Sequence, residues 1–76
     1  MNEEIYDLLE DVNPDVDYRN VTDLIDGKYL DSLDVLQIVA AIDDEYDVKV
    51  PASQLVPANF NSAEGIWNMI ERLQNE

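Results

Sequence analysis

Apolar residues recur at helical spacing in three stretches of this chain, and polar, turn-rich segments separate them. Over residues 2–12, Ile5, Leu8, Leu9 and Val12 fall on one face, with Glu3, Glu4, Asp7, Glu10 and Asp11 on the other. Asn2 suits the N-cap of this first helix, and Asn13-Pro14 stops it. Over 32–46 the apolar positions form two stripes. Val35, Ile38, Val39, Ile42 and Tyr46 cluster on one side and are expected to face the core. Leu33, Leu36 and Ala40 lie toward the opposite side, flanked by Asp34, Gln37 and Asp44. A helix in a small bundle needs only one buried stripe, so the second is a candidate docking surface unless the preceding loop covers it. A last helix follows Ser62, its expected cap. Ile66, Met69, Ile70 and Leu73 form its inner face, with Ala63 and Trp67 beside them and Glu64 in the first turn. Gly65 inside it costs about 1 kcal/mol against Ala, which suggests a close neighbour.

The connections carry information too. Residues 13–30 hold Val16, Tyr18, Val21, Leu24, Ile25, Tyr29 and Leu30, too many apolar groups for a free linker. An ordered loop pinned across the helices is expected, with a short turn at 22–25. Val48-Lys49-Val50-Pro51 reads as an extended break, and residues 52–56 as a brief helix closed by Pro57. The predicted fold is all-α: a small antiparallel bundle of three main helices plus one short one, with a long loop between the first two, in a single domain over 1–76.

Composition narrows the function classes. A chain of 76 residues buries only about 60% of its unfolded surface, so the core is small. There is no cysteine and no histidine, which removes disulfides, Cys-His and Ser-His chemistry and imidazole metal sites. No run approaches the ~20 apolar residues of a membrane span, and Met1-Asn2-Glu3-Glu4 is the opposite of a basic signal-peptide start, so a cytoplasmic protein is expected. Eighteen acidic residues against four basic ones give a net charge of −14. Such a surface repels nucleic acid and anionic lipid and favours partners with basic patches. Disorder is disfavoured because 46% of residues are hydrophobic and recur with helical period. Asp15-Val16-Asp17-Tyr18-Arg19 starts like a calcium loop but places Arg at the third ligand position and lacks the following Gly. A catalytic carboxylate pair would need a cleft that a domain this small has little surface to form. An enzyme is therefore not expected.

The stretch that organises the rest is Asp26-Gly27-Lys28-Tyr29-Leu30-Asp31-Ser32-Leu33-Asp34. Asp26-Gly27 is a turn signal, and Asp31 or Ser32 then occupies the N-cap position of the second helix. Capping alone is one sufficient reason for the serine. The other is chemical: unpaired amides and the positive end of the helix dipole favour a phosphate ester on Ser32 Oγ.

The run from Asp26 through Leu36 resembles the prosthetic-group attachment site of acyl and peptidyl carrier proteins, whose core is Asp-Ser-Leu at the start of the second helix. Glu45-Tyr46-Asp47-Val48-Lys49-Val50-Pro51 is similar to the family's end of that helix, and Pro57-Ala58-Asn59-Phe60-Asn61-Ser62 to its approach to the last one. The resemblance implies a stand-alone, monomeric carrier that bears 4'-phosphopantetheine on Ser32, with Asp31 and Leu33 completing the attachment motif. A phosphopantetheinyl transferase would add the group with Asp31 assisting a magnesium-dependent transfer, and the arm's thiol would hold acyl, aminoacyl or polyketide groups as thioesters. The implied partners are that transferase and loading ligases or synthases with basic patches that dock on Leu33, Asp34, Leu36, Gln37, Ala40 and Asp44. Fatty acid carriers usually have Glu and a bulky Met where this chain has Gln37 and Ala40, so the docking face is flatter and less acidic there. The segment 57–66 is closer to carriers of polyketide, nonribosomal-peptide or D-alanine systems, which leaves the cargo open. The alternative is an acidic helical adaptor, DNA mimicry included, in which Ser32 only caps a helix.

Overall fold

Helix breakers and caps set the element boundaries. The computed structural model describes residues 3–75 and contains α1 (Glu4–Val12), α2 (Ser32–Tyr46), a 3-10 turn (Ala52–Gln54), α3 (Pro57–Phe60) and α4 (Ala63–Gln74). The proposed Asn2 cap lies outside the described residues. Helix α1 ends at Asn13, whose extended backbone (φ −147°, ψ 101°) is the conformation that a following proline imposes. Acidic Glu4 and Asp7 in its first turn suit the positive end of the dipole.

The three long helices bury the faces their periodicity predicts. Ile5, Leu8 and Leu9 of α1, Ile38 and Ile42 of α2, and Ala63, Ile66, Met69 and Ile70 of α4 form one core, with Val35, Val39, Tyr46 and Leu73 half-buried against it. Burying an aliphatic side chain of this size contributes roughly 1.5–3 kcal/mol. At the far end of α2 the Tyr46 and Trp67 rings meet edge to face, 5.6 Å between centroids.

The long loop is ordered and contributes Tyr18, Leu24 and Leu30 to the core. Two sets of contacts fix it. Near α1, Tyr18 Oη donates to Asn13 O at 2.8 Å, while the Arg19 guanidinium lies 4.1 Å from the Tyr6 ring centroid and bonds Glu3 at 3.0 Å. Near α4, Asn61 holds the other half. Its backbone oxygen accepts from Leu24 N (2.8 Å), its Oδ1 from Ile25 N and Asp26 N (3.0 and 3.1 Å), and its Nδ2 donates to Asp26 (3.1 Å).

Pro57 requires a correction. The expected brief helix over 52–56 is only the 3-10 turn Ala52–Gln54, and Pro57 opens α3 instead of closing a helix. Proline's fixed φ suits the first helical position, where its missing N–H would have been unpaired anyway. Phe60, buried at the end of α3, is the apolar anchor of this segment. Arg72 of α4 clamps it by donating to Asn59 Oδ1 at 3.1 Å. Gly65 meets α3 closely, as a Cβ there would stand 3.4 Å from Ala58 O and 3.2 Å from Ser62 Oγ.

Candidate functional site

The start of α2 is built by a reciprocal pair of aspartates. Asp31, extended at φ −101° and ψ −176°, is the N-cap, and its Oδ1 accepts from Asp34 N at 2.9 Å. The Asp34 carboxylate turns back to accept from Asp31 N at 3.3 Å. This capping box satisfies two amides, and both acids sit at the positive end of the helix dipole. Of the two candidate caps, Asp31 is therefore the one used. Ser32 is the first helical residue, exposed, and its Oγ makes no hydrogen bond among the described residues. A hydroxyl free of capping duty at a helix N-terminus is available for modification.

The backbone ahead of Ser32 is held as firmly as the helix behind it. Leu30 N donates to Leu24 O at 3.0 Å, and the Leu30 side chain is buried, so Asp31 and Ser32 are presented by an anchored strap. In the Asp26-Gly27 turn the left-handed residue is Lys28 (φ 63°), while Gly27 has no positive φ. Glycine is needed at 27 for space: a Cβ there would come within 2.6 Å of the Asp23 carboxylate and 2.8 Å of the Tyr29 ring.

Beside Ser32 runs an open groove of about 540 Å³ between α2 and residues 55–60, with Leu30, Val35, Leu36, Leu55, Val56 and Phe60 among its lining and Lys28 and Asp31 at its edge. Leu36, Leu55 and Val56 are exposed there, and Leu33 (62%) and Tyr29 (48%) flank the serine in sequence. Leu36 is 56% exposed, so the loop does not cover it and the second stripe of α2 faces solvent.

Leu33, Leu36, Gln37, Ala40 and Asp44 share this exposed side of α2. Asp34 does not join them. It lies about 100° around the helix from Leu33, is half-buried, and spends its carboxylate on the cap. Its charge also acts inward on Tyr18, whose hydroxyl is pushed up to about 12, first by burial and then by Asp34 and Glu10. Asn61, which anchors the approach to Ser32, and Lys28, at the groove's edge, are not singled out by the sequence. An asparagine in a helix–helix turn and a lone lysine carry no local signal of these roles. Among the described residues, no helix is long and apolar enough to cross a membrane.

Comparison with known proteins bears on what this arrangement does. A family model described as a phosphopantetheine attachment site matches residues 4–70. The chain is 34% identical over 67 residues to the D-alanyl carrier protein of Streptococcus equi subsp. zooepidemicus (strain MGCS10565), covering 88% of this chain and 80% of that protein. It is similar to the same extent to the D-alanyl carrier protein of Streptococcus equi subsp. equi (strain 4047). No solved structure matches at a significant level.

Proposed function

The chain belongs to the phosphopantetheine-bearing carrier proteins, and from that premise we propose that Ser32 is its attachment residue and that the group it carries is a small aminoacyl unit such as D-alanyl. Carriers of this family are not enzymes; when bound, the prosthetic group supplies a thiol on a flexible arm, and the protein holds and delivers it. The observation that carries the assignment is the division of labour at the start of α2. Asp31 Oδ1 caps the helix, and among the described residues its other oxygen is uncommitted and Ser32 Oγ is left exposed and unbonded. A serine serving only as a cap, which the adaptor reading needs, is not what stands here.

The residues fit the group in three respects. Ser32 Oγ is exposed, the first-turn amides favour the phosphate, and the apolar groove edge offers a surface along which the arm can lie. The D-alanyl choice rests on the name of the relatives and on the flat, less acidic patch at Gln37 and Ala40. Leu33, Leu36, Gln37, Ala40 and Asp44 then form the face on which a phosphopantetheinyl transferase and a cytoplasmic loading ligase with basic patches dock. In this reading the 76 residues act as a single, monomeric carrier domain.

The test is an intact mass after incubation with coenzyme A and a broad-specificity phosphopantetheinyl transferase. One phosphopantetheine should be gained and should vanish in Ser32→Ala, which stays folded because the cap is Asp31. Failure to gain it with several transferases would defeat the carrier assignment. Loading of the holo protein by a D-alanine-activating ligase supports the cargo; loading only by enzymes that transfer long acyl chains would overturn it.

A further inference from the structure

Lys28 stands apart from the other three cations of this acidic chain. Arg19 is bonded to Glu3, Lys49 reaches both oxygens of Asp43 at 3.3 and 3.1 Å, and Arg72 donates to Asn59. Lys28 makes no side-chain hydrogen bond or ion pair among the described residues, although Asp23, Asp26, Asp31 and Asp34 are its near neighbours in sequence. It also holds a left-handed backbone (φ 63°) that glycine would occupy at lower cost. A lysine kept in a strained position, without a partner, at the edge of a groove that also contains Ser32, has a role that stability does not explain.

The charges around Ser32 show what that role is. A phosphodiester on Ser32 Oγ would add an anion beside Asp31 and within two residues of Asp34, in a chain already at −14. The helix N-terminus offsets it only in part, because the Asp34 amide is already taken by Asp31 Oδ1 and the carboxylates of Asp31 and Asp34 share that positive end. A nearby cation is the missing component. We propose that Lys28 pairs with the phosphate of the arm on Ser32 and holds the root of the arm against the loop side of the groove, leaving the Leu33, Leu36 and Ala40 side of α2 clear for enzymes. The proposal rests on the carrier reading. It adds to it a positioning residue outside the attachment motif.

Phosphorus NMR of the loaded protein tests it, alongside the carbon shifts next to the Lys28 ammonium. In the wild-type chain, loading should shift the Lys28 side-chain signals. The phosphorus signal should differ from that of the same protein unfolded in urea. Lys28→Met should move the phosphorus signal toward the unfolded position, Lys28→Arg should largely retain the wild-type position, and added salt should mimic Lys28→Met. Loading should also favour folding by about two- to fivefold more in the wild type than in Lys28→Met, the scale of an exposed ion pair. Wild-type Lys28 signals that do not move on loading, together with a phosphorus signal unaffected by Lys28→Met, would overturn the pairing while leaving the carrier assignment intact. A chain that gains no mass would overturn both.

Discussion

The two ends of α2 treat negative charge in opposite ways. At the N-terminus, Asp31 and Asp34 lie where the helix dipole is positive and bond each other's amides, so two acids stabilise the helix while Ser32 is left free. At the C-terminus, Asp43, Asp44 and Glu45 face the negative end of the same dipole without a basic residue in the last turn, and the chain leaves the helix through Asp47 in a left-handed conformation (φ 55°, ψ 40°). Among the described residues, only Lys49, through Asp43, offsets this, and both partners of that pair are too exposed for it to contribute much. One end uses its acids to stabilise the helix around an exposed serine. The other keeps acids at a cost to stability.

Charge reversal separates the ends most clearly. Asp34→Lys removes the amide acceptor for Asp31 and puts a cation at the positive dipole end, and should cost about 2 kcal/mol in chemical denaturation. A variant as stable as the wild type would mean that the box contributes nothing. Tyr18, beside the same end, links it to pH. Because its hydroxyl is raised to about 12 from the ordinary 10, the folded state holds the proton more tightly than the unfolded state. Its stabilisation is complete below pH 10 and is lost as pH rises toward 12. Tyr18→Phe should lose about 1 kcal/mol at neutral pH with the hydrogen bond to Asn13, and its stability should fall less steeply between pH 10 and 12.

At the other end the sign changes. Asp47→Gly removes both the left-handed strain and an acid from the helix terminus, and should stabilise by about 0.5–1 kcal/mol in thermal or urea melts. Asp44→Lys should stabilise by only about 0.3–0.5 kcal/mol. It should nevertheless slow association with a basic partner at low salt, an effect that fades as salt is added. Stopped-flow transfer kinetics at two ionic strengths measure this, and unchanged rates at low salt would remove Asp44 from the docking face.

Much of this was legible in the sequence because it is local. Helical faces follow from spacing, so Ile38 and Ile42 inside and Leu33 and Leu36 outside are consequences of period, as is the position of Ser32 at the start of α2. What escaped depends on contacts or on competing local rules. Asp34 looks like a surface acid until its carboxylate is seen to fold back onto Asp31. Pro57 is a stop signal by one rule and a first-turn residue by another, and the burial of Phe60 decides between them. A turn glycine suggests positive φ, yet Gly27 answers to crowding and Lys28 takes the left-handed geometry. Asn61 reaches residues 35 and 36 positions away, a distance no local pattern encodes.

That asparagine has a consequence for how the molecule opens. Leu24, Ile25 and Asp26 belong to a loop by their backbone, and loop amides ordinarily exchange their hydrogens with solvent through small local fluctuations. Here each of the three donates to Asn61, which sits between Phe60 in the core and Ser62 at the cap of α4. The segment leading to Ser32 cannot come loose without parting from the junction of α3 and α4. Its amides should exchange on the timescale of that junction, as one cooperative unit of opening, which keeps Ser32 fixed to the scaffold.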